Sequence, residues 1–129
     1  MTEAEAFLAK AEESLASAED DHAKDRFNSC ARNTYYAAFQ AAVAALLLER
    51  IQPRGRWEHE FVHSQFAGIL VYRRKLFGTA FRTLLIDAFE RRADADYTEK
   101  LLKRQDVRPL LTQVTQLVPQ VKERLYGSS

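Results

Sequence analysis

Three short stretches carry side chains that could do chemistry. The first is Arg32-Asn33-Thr34-Tyr35-Tyr36-Ala37-Ala38-Phe39-Gln40. Arg32, Asn33, Tyr36 and Gln40 recur at helical spacing and read as one polar face on an otherwise apolar helix. Burying such groups without partners is costly, so they must meet a groove, a neighbouring helix or a ligand. The second stretch is Glu90-Arg91-Arg92-Ala93-Asp94-Ala95-Asp96-Tyr97. Arg92 and Asp96 stand one helical turn apart and can pair, which alone would account for both. The third, His59-Glu60-Phe61-Val62-His63, matches the H-E-x-x-H pattern letter for letter. Histidines one turn apart can share a zinc ion, and the glutamate can then activate a bound water.

The context of the third stretch argues against zinc. The extended pattern places Gly and His three and six residues after the second histidine, where this chain has Phe66 and Ile69. A third ligand would have to be a distant carboxylate such as Asp87 or Glu90. The expectation is no metal and no cofactor, with His63 a surface or groove histidine that ligates nothing.

The elements that hold these stretches read as helices throughout. The 129 residues include nineteen alanines, only four glycines and only three prolines, which leaves little turn chemistry for an all-β fold. Ala4, Leu8, Ala11, Leu15 and Ala18 step by three and four and predict a helix over about 3–19. Asp20 to Asp25 reads as the first loop. A second helix, over about 26–49, is apolar on most sides and must be central. That breadth is the ground for expecting a homodimer, because a lone small bundle has few neighbours to cover it. Ile51 to Arg56, with Pro53 and Gly55, reads as a loop. Further helices are predicted over about 57–72 and 79–92. A last one carries Val107, Leu111, Val114, Val118, Val121 and Leu125, with Asp106 as N-cap, Pro109 in its first turn and a kink at Pro119. The fold class is all-α, an up-and-down bundle of four to five helices forming one domain over residues 1–129.

Composition narrows the setting. Hydrophobic residues make up 47% and charged residues 29%, a globular balance. The single cysteine, Cys30, excludes a disulfide framework and reads as a core residue. The acidic start does not look like a secretory signal. The longest apolar run, Ala41 to Leu48, is far short of the roughly 18 residues that span a bilayer. A reduced, cytoplasmic protein with no membrane contact is expected. Residues 1–25 carry eight acids against two bases, whereas residues 50–92 carry nine bases against four acids. A basic middle segment can attract phosphate, although the net charge of +1 also fits an internally balanced surface.

At these stretches the sequence resembles the HEPN domain, and in particular the stand-alone bacterial branch found beside minimal nucleotidyltransferases. Members of that branch carry Arg-Ala-Tyr-Tyr-Ala-x-Phe-His-Ala-Ala on the second helix. Here the run is Asn33-Thr34-Tyr35-Tyr36-Ala37-Ala38-Phe39-Gln40-Ala41-Ala42, with Arg32 one place earlier. A histidine after the next loop, with a phenylalanine seven residues on, corresponds to His59 and Phe66. An Arg-x-x-x-Asp-Tyr run closing the fourth helix corresponds to Arg92 through Tyr97. The resemblance covers about residues 3–125.

It implies a four- to five-helix bundle, usually a homodimer. Active members are metal-independent ribonucleases that pair an arginine with a histidine four to six residues later across the dimer. In such a site the arginine holds phosphate and a neutral imidazole takes the proton of the RNA 2′-hydroxyl, leaving a 2′,3′-cyclic phosphate and a 5′-hydroxyl. This chain departs from that pattern. Tyr97 stands five residues after Arg92, Gln40 stands in place of His, and Asn33 in place of Arg. A tyrosine, with an ordinary pKa of about 10, is a poor base near neutral pH. On this resemblance the candidate catalytic residues are Arg92, Asp96 and Tyr97. The candidate nucleotide- or RNA-binding residues are Arg32, Asn33, Tyr36, Gln40, His59 and Arg91. The implied function is binding of RNA or nucleotide in a polar groove, as half of a toxin–antitoxin-like pair with a nucleotidyltransferase. The alternatives are an active endoribonuclease toxin, a protein-interaction scaffold and a zinc hydrolase built on His59 and His63.

Overall fold

A computed structural model describes residues 1–127. Five α-helices follow one another: α1 (Glu3–Ala23), α2 (Phe27–Leu48), α3 (His59–Gln65), α4 (Leu84–Tyr97) and α5 (Arg104–Tyr126). There is no strand among the described residues. The all-α bundle expected from the apolar periodicity is the architecture found.

Helix α1 starts with a reciprocal cap. The Glu5 N–H donates to Thr2 Oγ1 at 3.1 Å, while Thr2 Oγ1 and N–H both donate to Glu5 Oε1. The helix runs to Ala23, through most of the predicted loop, and closes on Asp25 in the left-handed region (φ 59°). There the Arg26 N–H reaches back to the Asp21 carbonyl at 2.8 Å. Arg50 (φ 61°) ends α2 the same way, with the Ile51 N–H on the Leu46 carbonyl at 2.9 Å.

Helix α2 is the axis of the bundle. Twelve of its 22 residues are buried, many of them alanines, so α1, α3, α4 and α5 can all pack against it closely. Its broad apolar surface is therefore covered within one chain, and the breadth alone does not call for a second copy. Cys30 is fully buried beside Thr34, and burial pushes its thiol pKa up, as suits an inert core residue.

The third and fourth helices differ from the periodic pattern. Helix α3 begins at His59, not Trp57, and from Phe66 to Arg73 the chain widens into a π-helix. A single 3₁₀ turn, Thr79–Phe81, precedes α4. Helix α4 then continues to Tyr97, so Arg92 lies inside a regular helix and Asp96 in its last turn. Helix α5 starts at Arg104, ahead of the predicted cap. Asp106 accepts the Lys103 N–H at 2.8 Å from three residues inside, which puts Pro109 in the second turn. The helix is continuous through Pro119 and buries one stripe that includes Val107, Val114 and Val121.

Candidate functional site

The site forms where α2, α3 and α4 meet. Tyr35 is fully buried on α2, and its hydroxyl faces both histidines of α3. It lies 2.5 Å from His59 Nδ1 and 2.8 Å from His63 Nε2. A phenol has one proton to give, so it donates to one imidazole and accepts from the other. Burial, with the neighbouring Tyr36 adding to it, raises the Tyr35 pKa well above the ordinary tyrosine value and outweighs the lowering by Arg92. The hydroxyl therefore stays protonated. Burial and the adjacent His59 lower the pKa of His63 to about 4. Burial and the Arg92 charge lower that of His59. Both rings are thus held neutral near pH 7.

Arg92 on α4 is the cationic centre. Its guanidinium lies over three rings, 5.5 Å from the Tyr36 centroid, 5.8 Å from Tyr35 and 5.9 Å from Phe89. Its side chain is only 19% exposed. Nε lies 3.4 Å from Asp96 Oδ2, too poorly aligned for a hydrogen bond, and is buried with no other partner. The tighter bond of Asp96 runs across to α2, from Arg32 Nε to Oδ1 at 2.5 Å. Asp96 thus clasps α4 to α2 and leaves the Arg92 guanidinium short of acceptors. A cation with spare donors, held over aromatic faces, is an anion receptor.

Beside it a mostly apolar cleft of about 380 Å³ is lined by His59, His63, Ala67, Ile86 and Phe89 among others. Ile86 is 48% exposed at its rim, and Tyr36 is also exposed. The His59 ring packs on Phe89 at 5.2 Å between centroids, and the same Phe89 underlies Arg92.

The family model for the HEPN domain matches residues 4–124, nearly the whole chain. The chain belongs to the HEPN-domain family. A search of the curated proteins finds no match. Membership sets its function in the general province of RNA and nucleotides.

Within this HEPN bundle the sequence-derived candidates separate. Arg32, Tyr36, His59, Arg92 and Asp96 converge on one region. The polar faces of α2 and α4 meet within a single chain. Asn33 and Gln40 do not share that face, contrary to the spacing argument. Asn33 Nδ2 donates to the buried carboxylate of Asp21 at 2.9 Å. Gln40 pairs with Ser14 of α1 at 2.8 Å and, with its amide turned, also donates to the Lys10 and Tyr36 carbonyls. Arg91 pairs with Asp94 at 2.7 Å on its own helix. Tyr97 is 76% exposed at the end of α4, roughly 140° around the helix from Arg92.

His63 is a partly buried histidine that lines the cleft, and its ring is bonded to Tyr35, a partner that the sequence did not suggest. Tyr35 itself was legible only as a core residue. The signal that could have raised it was a tyrosine-rich helix facing an i, i+4 histidine pair. No group of three or more His, Cys, Asp or Glu that could hold a metal ion occurs among the described residues, at the pair or elsewhere. One nitrogen of each ring is committed to Tyr35. No helix is long and apolar enough to cross a membrane among the described residues.

Proposed function

We propose that this HEPN domain binds RNA or a nucleotide phosphate at Arg92 and the adjoining cleft between α3, the π-helix and α4, and does so as a homodimer. The observation that carries the reading is Arg92: a nearly buried guanidinium over three aromatic rings with an unsatisfied Nε. A phosphate oxygen can meet the remaining N–H groups of the partly exposed guanidinium, and the exposed Tyr36 ring offers a stacking face to a base. The exposed Ile86 at the rim of the cleft and the exposed Tyr36 beside Arg92 offer a dimer apolar contacts, which supports an assembly that encloses the site. A nucleotidyltransferase partner, as in a toxin–antitoxin-like pair, is supported by the resemblance to the stand-alone branch.

Arg92→Ala tests the reading. RNA or nucleotide affinity falls roughly ten- to a hundredfold, about 1.5–3 kcal/mol, while the melting temperature changes little. Arg92→Lys recovers part of it, since an ammonium keeps the charge but not the fork. Light scattering at micromolar concentration gives twice the mass of one chain, and a monomer at high concentration sinks the dimer. If Arg92→Ala unfolds the protein and the wild type never binds RNA above background, the cluster is structural and the domain is a protein-interaction scaffold.

A second reading, metal-independent RNA cleavage, is favoured by the neutral imidazoles next to Arg92. In one arrangement of the shared protons, His59 Nδ1–H donates to Tyr35 and the Tyr35 O–H donates to His63. His59 Nε2 then carries a free lone pair on an exposed ring. It can take the 2′-hydroxyl proton while that oxygen attacks phosphorus and the 5′-oxygen leaves with a proton from solvent. Arg92 stabilises the added charge. Release of a 2′,3′-cyclic phosphate that disappears in His59→Ala, with RNA affinity retained, supports this reading. Wild-type cleavage by His59→Ala rejects it.

A further inference from the structure

A second opening lies between the end of the π-helix and the 3₁₀ turn that leads into α4. The cleft beside Arg92 is lined by Ala67 and Ile86, whereas the second cavity uses Val71 and Arg82. Numbering advances on one element and retreats on the other, so the two openings succeed one another along one seam. The second has a volume of about 750 Å³, with Tyr72, Arg73, Lys75, Thr79 and Arg82 around a floor that includes Phe77. Three of its lining residues are bases and none is an acid. Arg73, Lys75 and Arg82 form no ion pair among the described residues, while the adjacent Arg74 is already held by Glu49. Tyr72 presents a flat ring that is 74% exposed.

The backbone here is unusual in two ways. The cavity is built on the end of the π-helix, and such segments concentrate at functional sites. The π-helix closes on Lys75 in the left-handed region (φ 53°), with the Leu76 N–H on the Leu70 carbonyl at 2.8 Å. Glycine takes that conformation without steric penalty, yet a lysine stands there and brings its charge to the cavity.

An acidic peptide would use the charge but not the flat ring. A single nucleic-acid strand uses both, with bases stacking on the aromatic and phosphates following the cations. Arg82 and Arg92 are ten residues apart, about 15 Å at a helical rise, a distance that a few nucleotides span. We infer that this cavity is a second contact site for single-stranded RNA bound at Arg92, with Tyr72 stacking a base and Arg73, Lys75 and Arg82 holding backbone phosphates. The choice of RNA rests on the reading of the Arg92 cleft; the site itself rests on its own lining.

Anisotropy with a labelled oligouridine of about a dozen nucleotides tests it, alongside AMP and polyglutamate as competitors. The combined variant Tyr72→Ala, Arg73→Gln, Arg82→Gln binds oligouridine roughly tenfold or more weakly. Its slope of log affinity against log salt drops by about 0.7 for each phosphate that the protein no longer neutralises. AMP binding at Arg92 stays as in the wild type. Lys75→Gly separates binding from folding: melting temperature holds or rises as the left-handed lysine is relieved, while affinity falls a few-fold. Oligouridine affinity and salt slope unchanged in the combined variant overturn the inference. So does wild-type oligouridine affinity in Lys75→Gly, should the combined variant fail to fold. Polyglutamate outcompeting oligouridine assigns the cavity to an acidic protein and overturns the RNA assignment. If Arg92→Ala leaves all binding intact but the combined variant abolishes it, the Arg92 reading fails and this site stands.

Discussion

Arg32 and Asn33 are adjacent on α2, yet they enter networks of opposite kind. Towards α1, Asp21 is buried and accepts from Arg26 at 2.8 Å, Ser29 at 2.7 Å and Asn33 at 2.9 Å. Burial alone would raise its pKa, but these bonds outweigh that and hold it below the usual carboxylate value. Gln40 is similarly occupied by Ser14. Towards α3 and α4, Asp96 is taken mainly by Arg32, and Arg92 keeps a buried donor without an acceptor. The Asp21 network on the α1 side is closed, although His22 Nε2 on α1 is itself buried without a partner, and the Arg92 cluster on the α4 side is open. A polar residue on a buried helix marks a site only where its network lacks a partner. The closed side should therefore report on stability, and the open side on binding.

The largest expected effect is on the closed side. Asp21→Ala removes one carboxylate that satisfies three donors and leaves Ser29 and Asn33 unpaired in partly buried positions. A loss of about 2–4 kcal/mol is expected from chemical denaturation, with RNA affinity of the folded fraction unchanged. Reduced affinity at full folding would break the division between the two sides.

Next comes Tyr35→Phe, which keeps the ring and its packing but withdraws the bond shared by His59 and His63. Two imidazole nitrogens are left without their partner, at a cost of about 1–3 kcal/mol. His63→Ala also lowers the melting temperature, because His63 is tied into the bundle. If either variant melts like the wild type, the hydroxyl is not holding α3 to α2.

Acidification separates His63 from Asp21 by pH. His63 titrates at about 4 in the fold and near its ordinary 6.5 when unfolded. Its contribution is full above 6.5 and drains away as pH falls from 6.5 towards 4, since the unfolded chain takes the proton first. The size is on the order of 1–2 kcal/mol after discounting for partial exposure. Asp21 lies below its ordinary 3.8, so its contribution persists above that value and is lost only as pH falls further. Melting curves from pH 7 to about 2 thus show the His63 decline before the Asp21 decline. His63→Gln flattens that first decline without removing the second. His59 on α3 and His22 on α1, both also held below the ordinary value by burial, add to the decline in the same window.

The fold was legible because apolar stripes survive small errors of boundary: the stripes on α1, α2 and α5 are the faces that pack. The ends were less legible because tertiary bonds set them. Asp21 and His22 read as loop residues in isolation, yet α1 extends through them because Asp21 finds its donors on α2. The π-helix left no mark in the pattern, since apolar residues spaced for an α-helix also serve a wider one. Arg92, Arg32 and Asp96 stood out because charge in an apolar context is visible in the sequence. Tyr35 and His63 did not, because their roles depend on how α3 crosses α2, which spacing within one helix cannot give.

Gln40 gives the smallest effect and the sharpest check on the division. The resemblance puts it at a position where relatives carry histidine, whereas its bonds tie it to α1. Gln40→Leu removes the bond to Ser14, but Ser14 is only partly buried and water can replace the missing partner. Stability should change by about 0.5–1.5 kcal/mol. RNA affinity, measured beside Arg92→Ala, should match the wild type. A tenfold drop in Gln40→Leu with stability intact would mean that α2 presents Gln40 to the ligand, and that the α1 side is open as well.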